Sequence, residues 1–190
     1  MHVLVVGAVT VGFGAYGLAT GSGNAVPYAV MVVAGAVLVA ALEPDEGFSA
    51  VALGGLTFWA AGHLAGGTVG LDHDRILYNA LLPGGLHYDN VVHFVGFGSA
   101  GLVWWESTRR WLRVDGSHRV GIWVAVWLVG MGVGALNEVV EFIATLVMAH
   151  TNVGGYHNTG RDLVANMCGS AVAGTIAARR AERGRPAGSG

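Results

Sequence analysis

The chain has 190 residues, of which 53% are hydrophobic and only 12% are charged, and its formal net charge at pH 7 is −2. Soluble domains average about 25% charged residues, so this composition predicts an integral membrane protein. The near-neutral charge and the lack of a basic, aromatic patch argue against a nucleic-acid partner.

Six apolar segments are long enough to cross a bilayer as helices, which takes about 20 residues each. They cover approximately residues 2–20, 26–42, 48–66, 90–108, 120–149 and 161–180. The first lacks a basic start, which predicts a retained span and not a cleaved signal peptide. The fifth is long, so we expect it either to project beyond the membrane or to bend near Gly130–Gly134. The prediction is an all-α polytopic bundle, residues 1–180, followed by a disordered cytoplasmic tail, residues 181–190.

The distribution of arginine predicts the orientation of the spans, because cytoplasmic loops of membrane proteins carry an excess of positive charge. The chain has no lysine, and most of its arginines lie between spans four and five or after span six. These are Arg109, Arg110, Arg113, Arg119, Arg179, Arg180, Arg183 and Arg185. Only Arg75 and Arg161 fall on the other side. We therefore expect both termini in the cytoplasm, with loops 67–89 and 150–160 outside it.

Three polar clusters lie near the extracytoplasmic ends of spans four, five and six. Their members are Asp89 and His93, then Glu138 and Glu141, then Asn158, Asp162 and Asn166. Within each cluster the spacing is three or four residues, which places the side chains on one helix face. Ionisable groups in a membrane usually face the bundle interior and mark a functional site. Because the three clusters share one depth, the sequence predicts a single buried site near the extracytoplasmic face.

Carboxylates beside an imidazole predict a divalent metal ion, and this mixed oxygen and nitrogen set suits Zn, Mn, Fe or Mg. The expected ligands are Asp89, His93, Glu138, Glu141 and Asp162. Among these, Glu138 and Glu141 are the candidates for catalysis, with Glu141 as a ligand or general base. The residues expected to orient the ligands are Tyr88, Asn137, Asn158 and Asn166. A proton-sharing or ion-permeation cluster and a purely structural polar network remain as alternatives.

Other polar residues give weaker predictions. His63, near the outer end of span three, could join the site. The run Asp72-His73-Asp74 is expected to be a solvated loop, or else a lid with accessory ligands. Glu106 precedes Arg109 and Arg110 by three and four residues, a spacing that favours ion pairs along one helix.

The order of the polar motifs resembles that of the YjdF-like family of bacterial inner-membrane proteins and, more distantly, the VanZ-like group. The motifs that carry the resemblance are His87-Tyr88-Asp89-Asn90-Val91-Val92-His93-Phe94, Asn137-Glu138-Val139-Val140-Glu141-Phe142 and Asn158-Thr159-Gly160-Arg161-Asp162. Asn158 stands where that family usually has aspartate. The resemblance covers roughly residues 87–170, and it implies an inner-membrane location and the same site without a settled activity.

These observations favour a metal-dependent membrane hydrolase or transferase that acts on a lipid or lipid-linked substrate at the outer leaflet. The metal ion would activate water or polarise an ester or phosphoryl oxygen. The alternatives are a cation or proton transporter or channel, and a non-catalytic structural membrane subunit. The cytoplasmic halves of spans four to six carry almost no polar residues, which argues against a transport path.

Overall fold

A computed structural model describes residues 2–45, 47–72, 75–109, 118–148, 151 and 153–183. These residues form six α-helices, which confirms the all-α prediction for this part of the chain. The helices are α1 (His2–Ala19), α2 (Ala25–Ala41), α3 (Ala50–Thr68), α4 (Tyr88–Thr108), α5 (Arg119–Val147) and α6 (Tyr156–Arg183). A short 3-10 helix, Leu77–Asn79, lies between α3 and α4.

Two helices, α1 and α5, are long and apolar enough to cross a membrane by length and composition. The apolar helix α2 is shorter. The first and fifth helices also expose large apolar side chains, such as Leu4 on α1 and Phe142 on α5, which are 79% and 62% exposed. Extended apolar surface of this kind suits contact with lipid. Six membrane spans stay a prediction, because polar residues lower the hydropathy of α4 and α6.

Both ends of the sixth helix differ from the sequence prediction, whereas the fifth helix is one unbroken element. The fifth helix is continuous from Arg119 to Val147, so the bend expected near Gly130–Gly134 does not interrupt it. The sixth begins at Tyr156, before the predicted start at residue 161, and extends to Arg183. It therefore includes the first residues of the predicted disordered tail. The remainder of that tail, residues 184–190, lies outside the described residues.

The fourth and sixth helices run parallel and side by side. Near their N-terminal ends the Asn90 amide donates to Asp162, and near their C-terminal ends Glu106 pairs with Arg180. The two contacts join residues at matching depths in the two helices. The polar residues at the start of α4 therefore meet those at the start of α6.

The fifth helix packs against both of these helices and runs in the opposite direction. Its N-terminal Arg119 pairs with Glu182 near the end of α6, while Trp127 farther along α5 donates to the Met167 carbonyl. The C-terminal half of α5 consequently reaches the same end of the bundle as the starts of α4 and α6. We call this end the site end and the opposite one the arginine end.

Most described arginines lie at the arginine end, as the charge asymmetry of the sequence predicts. They are Arg109, Arg119, Arg179, Arg180 and Arg183, whereas Arg75 and Arg161 belong to the site end. Arg110, Arg113 and Arg185 lie outside the described residues. The orientation of these ends in a cell stays a prediction.

Glycine allows α4 and α6 to approach closely just below the site. A Cβ added at Gly169 would collide with the backbone carbonyl of Phe94, and one at Gly98 would lie 2.7 Å from the Gly169 oxygen. Helix interfaces in membranes use small residues for this purpose. This close contact between α4 and α6 brings together the polar side chains that the two helices carry one turn nearer the site end.

Candidate metal centre

All five predicted ligands come together at the site end. They form two overlapping groups, Asp89 with His93 and Asp162, and His93 with Glu138 and Glu141. Within each group the candidate ligand atoms lie within 4.8 Å of one another. Asp162 is completely buried, His93 is 4% exposed and Glu138 is 8% exposed. The convergence follows from the parallel pairing of α4 with α6 and the opposite direction of α5.

His93 lies at the centre and contacts polar atoms with both ring nitrogens. Its Nε2 is 3.4 Å from Oδ1 of Asp89. Its Nδ1 is 3.2 Å from the Asn166 amide oxygen and 3.7 Å from Oε1 of Glu138. An amide oxygen only accepts hydrogen bonds, so this contact is a hydrogen bond in the tautomer that carries the proton on Nδ1. The lone pair of a neutral imidazole is then on Nε2, which faces Asp89.

Asp162 is held by two amides. Asn90 on α4 donates to Oδ1 at 2.8 Å, and Asn158 on α6 donates to Oδ2 at 2.6 Å. The Asn158 nitrogen also lies 3.3 Å from Oδ2 of Asp89. Each carboxylate oxygen has a second lone pair, so these bonds orient Asp162 and Asp89 without using all of their acceptor capacity. Hydrogen bonds of this kind are typical of groups that fix metal ligands.

The two glutamates of α5 differ in their surroundings. Oε1 of Glu141 accepts a hydrogen bond of 2.8 Å from the Asn137 amide. Both carboxylate oxygens of Glu138, in contrast, are buried, and neither accepts a well-aligned hydrogen bond among the described residues, although the Asn137 and Thr159 side chains lie near them. A buried carboxylate is stable only when it is protonated, paired or bound to a cation. Glu138 is therefore the residue of the cluster that most needs a further partner.

The predicted orienting residues divide into two sets. Asn137, Asn158 and Asn166 each bond to a member of the cluster. Tyr88 does not belong with them, since its hydroxyl donates to the Gly62 carbonyl of α3 at 3.3 Å.

Asn90 is a site residue that was not among those predicted from the sequence. Its side chain supports Asp162, and its oxygen accepts from the backbone nitrogen of His87 just before α4. The available signal was the spacing of three residues from Asn90 to His93, which share one helix face.

His63 lies in a separate aromatic cluster. Its ring stacks on Trp59, meets Tyr28 edge-on and hydrogen-bonds to the Tyr78 hydroxyl. Tyr78 belongs to the 3-10 helix of the loop between α3 and α4, and it packs over Gly66. Burial raises the pKa of the Tyr78 phenol well above its ordinary value, so the hydroxyl stays protonated. His63 is thus not a member of either candidate ligand group.

Only part of the predicted loop run Asp72-His73-Asp74 is described by the structure. Asp72 forms an exposed ion pair with Arg75, at 2.6 Å, which fits the expectation of a solvated loop. His73 and Asp74 lie outside the described residues. The guanidinium of Arg161, at the start of α6, lies 3.1 Å from Nε2 of His87.

A family described as "Predicted membrane protein (DUF2238)" has a model that matches residues 1–183. The chain belongs to the DUF2238 family. No curated protein and no solved structure matches it. Membership agrees with the apolar composition and supports a membrane protein. The inner-membrane location and the narrower resemblance to YjdF-like proteins remain predictions for this DUF2238 chain.

A cavity of about 880 Å³ lies beside the acidic cluster of this DUF2238 protein, between α4 and α6. Asn90 and Thr159 form part of its wall, and most of the remaining lining is apolar. Ligand cavities usually have volumes of about 300–1,000 Å³. The candidate metal centre therefore has a ligand-sized space on one side.

Proposed function

We propose that this protein is a metal-dependent membrane enzyme, a hydrolase or transferase whose substrate is a lipid or a lipid-linked molecule. Asp89, Nε2 of His93 and Asp162 hold one divalent cation. Glu138 supplies a fourth ligand, and Glu141 is a ligand or the general base. The oxygen-rich set favours Mg, Mn, Fe or Zn.

The observation that carries the proposal is the buried Glu138 carboxylate, which accepts no well-aligned hydrogen bond among the described residues and forms one candidate ligand group with His93 and Glu141. Three further carboxylates share its surroundings. Ionised carboxylates that lie this close together repel one another strongly when they are buried in a medium of low polarity. A bound cation would offset that repulsion and would be the partner that the Glu138 carboxylate needs.

The distances suit a metal ion of ordinary size. In a tetrahedral site with bonds of about 2.1 Å, neighbouring ligand atoms lie roughly 3.4 Å apart. The Asp89 oxygen is 3.4 Å from Nε2 of His93, which matches this spacing, whereas the full candidate groups, whose atoms lie within 4.8 Å of one another, would have to contract around an ion. The bond from Nδ1 of His93 to Asn166 also matches the usual arrangement, in which the non-coordinating nitrogen donates to an acceptor.

The residues around the site suggest how the reaction would proceed. A metal ion held by these residues would polarise an ester or phosphoryl oxygen and would lower the pKa of a bound water molecule. Glu141, oriented by Asn137, accepts a proton from the attacking water or acceptor hydroxyl and returns it to the leaving oxygen. The buried position of the cluster limits the access of bulk water to the reacting atoms.

A cation transporter is less well supported by the packing below the site. The core between the cluster and the arginine end is filled by apolar side chains, among them Leu102, Val126 and Ala173. Beyond that core, Glu106 is paired with Arg180 and Ser49. An ion that crossed the bundle would have to displace this packing.

Metal analysis of the detergent-purified protein tests the proposal. We expect roughly one tightly bound divalent ion per chain in the wild type and a nearly complete loss in Glu138→Gln and Asp162→Asn. These substitutions keep side-chain size and remove the charge. Glu182→Gln is the matched control, because Glu182 is an exposed carboxylate on α6 at the arginine end. A wild-type protein that binds no divalent ion under any loading condition would refute the proposal.

A further inference from the structure

The cavity beside the metal centre is an open groove whose lower part is apolar. Val91 and Phe94 of α4 form one wall, and Val164 and Cys168 of α6 form the other. Phe94 is 37% exposed and Val164 is 55% exposed. From Arg161 to Cys168 the groove follows α6 for seven residues, which corresponds to about 10 Å along the helix axis. That length accommodates the first part of an acyl chain.

The upper end of the groove is cationic. Arg161 and His157 line it, and Arg161 contacts His87 from the start of α4. No carboxylate among the described residues lies within ion-pair distance of Arg161. By comparison, the other arginine at this end, Arg75, is paired with Asp72. The charge of Arg161 is thus available to an external anion at the mouth of an apolar groove.

The groove lies next to the metal centre, although none of the five candidate ligands lines it. Asn90 lines the groove and donates its amide hydrogen to Asp162, which belongs to the ligand set. Arg161 and Asp162 are consecutive residues, yet the first is exposed and the second is completely buried. A molecule with its anionic group at Arg161 would lie next to the helix segment that carries a metal ligand.

We infer that the groove between α4 and α6 binds a phospholipid with a net negative headgroup. Arg161 binds the phosphate, with His87 beside it, and one acyl chain lies along Val91, Phe94 and Val164. The groove would be the substrate site of the proposed enzyme, and this assignment rests on the proposed function. Apolar contact and the phosphate contact supply affinity for any phospholipid. The preference for a net negative headgroup arises because the Arg161 charge repels the cationic group of a zwitterionic headgroup.

Native mass spectrometry of the delipidated full chain in detergent tests the inference. The protein is titrated with phosphatidylglycerol and, separately, with phosphatidylcholine of the same chain length. We expect one retained phosphatidylglycerol per chain, and about fivefold weaker retention in Arg161→Gln, which corresponds to a single charged contact. Arg75→Gln is the matched control and should retain the lipid like the wild type. Inorganic phosphate should not displace the lipid, because it lacks the acyl chain.

A second pair of variants tests the apolar part of the groove, where the acyl chain is proposed to lie. Val164→Trp fills the groove and should reduce retention of both lipids, whereas Val172→Trp, at an exposed position two turns farther along α6, should not. Equal retention of the two lipids, or equal effects of Arg161→Gln and Arg75→Gln, would overturn the inference. Metal content is measured on the same samples. Arg161→Gln should keep its metal, so failure of the lipid site and failure of the metal site are distinguishable.

Discussion

The Asn158 amide nitrogen lies 2.6 Å from Oδ2 of Asp162 and also 3.3 Å from Oδ2 of Asp89. One amide therefore contacts two carboxylates that come from different helices. Because an amide donor stabilises negative charge, this contact holds both oxygens in place for a cation. It also gives Asn158 a role as a donor, which an ionised aspartate at this position could not supply.

Removal of this amide should weaken metal binding without unfolding the protein. In Asn158→Ala, Asp162 keeps its bond from Asn90 but loses its second donor. Loss of a group that orients a metal ligand typically reduces metal affinity by about 10–100-fold. Competition against a chelator measures the affinity. Asn24→Ala is the control, since Asn24 makes no side-chain capping bond at the start of α2. An unchanged affinity in Asn158→Ala would argue against coordination by Asp162.

The arginine end contains a second polar cluster, which we expect to be structural. Glu106 is 8% exposed and accepts bonds from Arg180 and from both the backbone nitrogen and the hydroxyl of Ser49. This cluster links α4 and α6 to the start of α3. Its contacts are at the opposite end of the bundle from the metal ligands.

Glu106→Ala should therefore lower stability and leave metal content unchanged. Breaking a fully buried ion pair costs about 3–5 kcal/mol, and we expect about 2–3 kcal/mol because 34% of the Arg180 side chain is exposed. Thermal unfolding in detergent measures the effect. Glu182→Ala breaks an exposed pair with Arg119 and should cost at most about 1 kcal/mol. A similar small loss in both variants would contradict the structural role.

The close contact of α4 with α6 makes Gly169 intolerant of a side chain. Gly169→Ala places a methyl group against the Phe94 carbonyl, which cannot move without shifting α4. Overpacking of this kind costs about 1–3 kcal/mol. At Gly132 of α5 a Cβ meets no atom within 4 Å. Gly132→Ala should therefore be neutral or stabilising by up to about 1 kcal/mol. Unfolding temperatures of the two variants in one detergent provide the comparison, and equal values would contradict the packing.

The sequence predicted the helices and the convergence of the cluster because both depend on short-range periodicity. Long apolar runs define the helices, and spacings of three and four residues place Asp89 with His93 and Glu138 with Glu141 on single faces. Their common depth follows from alternating helix directions. These features need no knowledge of which helices are neighbours.

Contacts between distant elements could not be predicted in the same way. The i to i+3 and i to i+4 rule directs Glu106 to Arg109 and to Arg110, which lies outside the described residues. That rule does not predict the ion pair that Glu106 forms with Arg180 on another helix. Likewise, Tyr78 lies in an irregular loop, where no periodicity predicts that it packs on α3 and bonds to His63. The first contact depends on the packing of α4 against α6, and the second on the packing of the 3-10 helix against α3.

The most direct test of the central claim is whether Nε2 of His93 coordinates the bound ion. Pulsed electron paramagnetic resonance of the protein loaded with one equivalent of Cu²⁺ detects a coordinated imidazole nitrogen. We predict an imidazole coupling in the wild type and in His118→Gln, which changes an exposed histidine at the arginine end. The coupling should disappear in His93→Gln. A spectrum in which His93→Gln retains the imidazole signal would contradict the proposed centre.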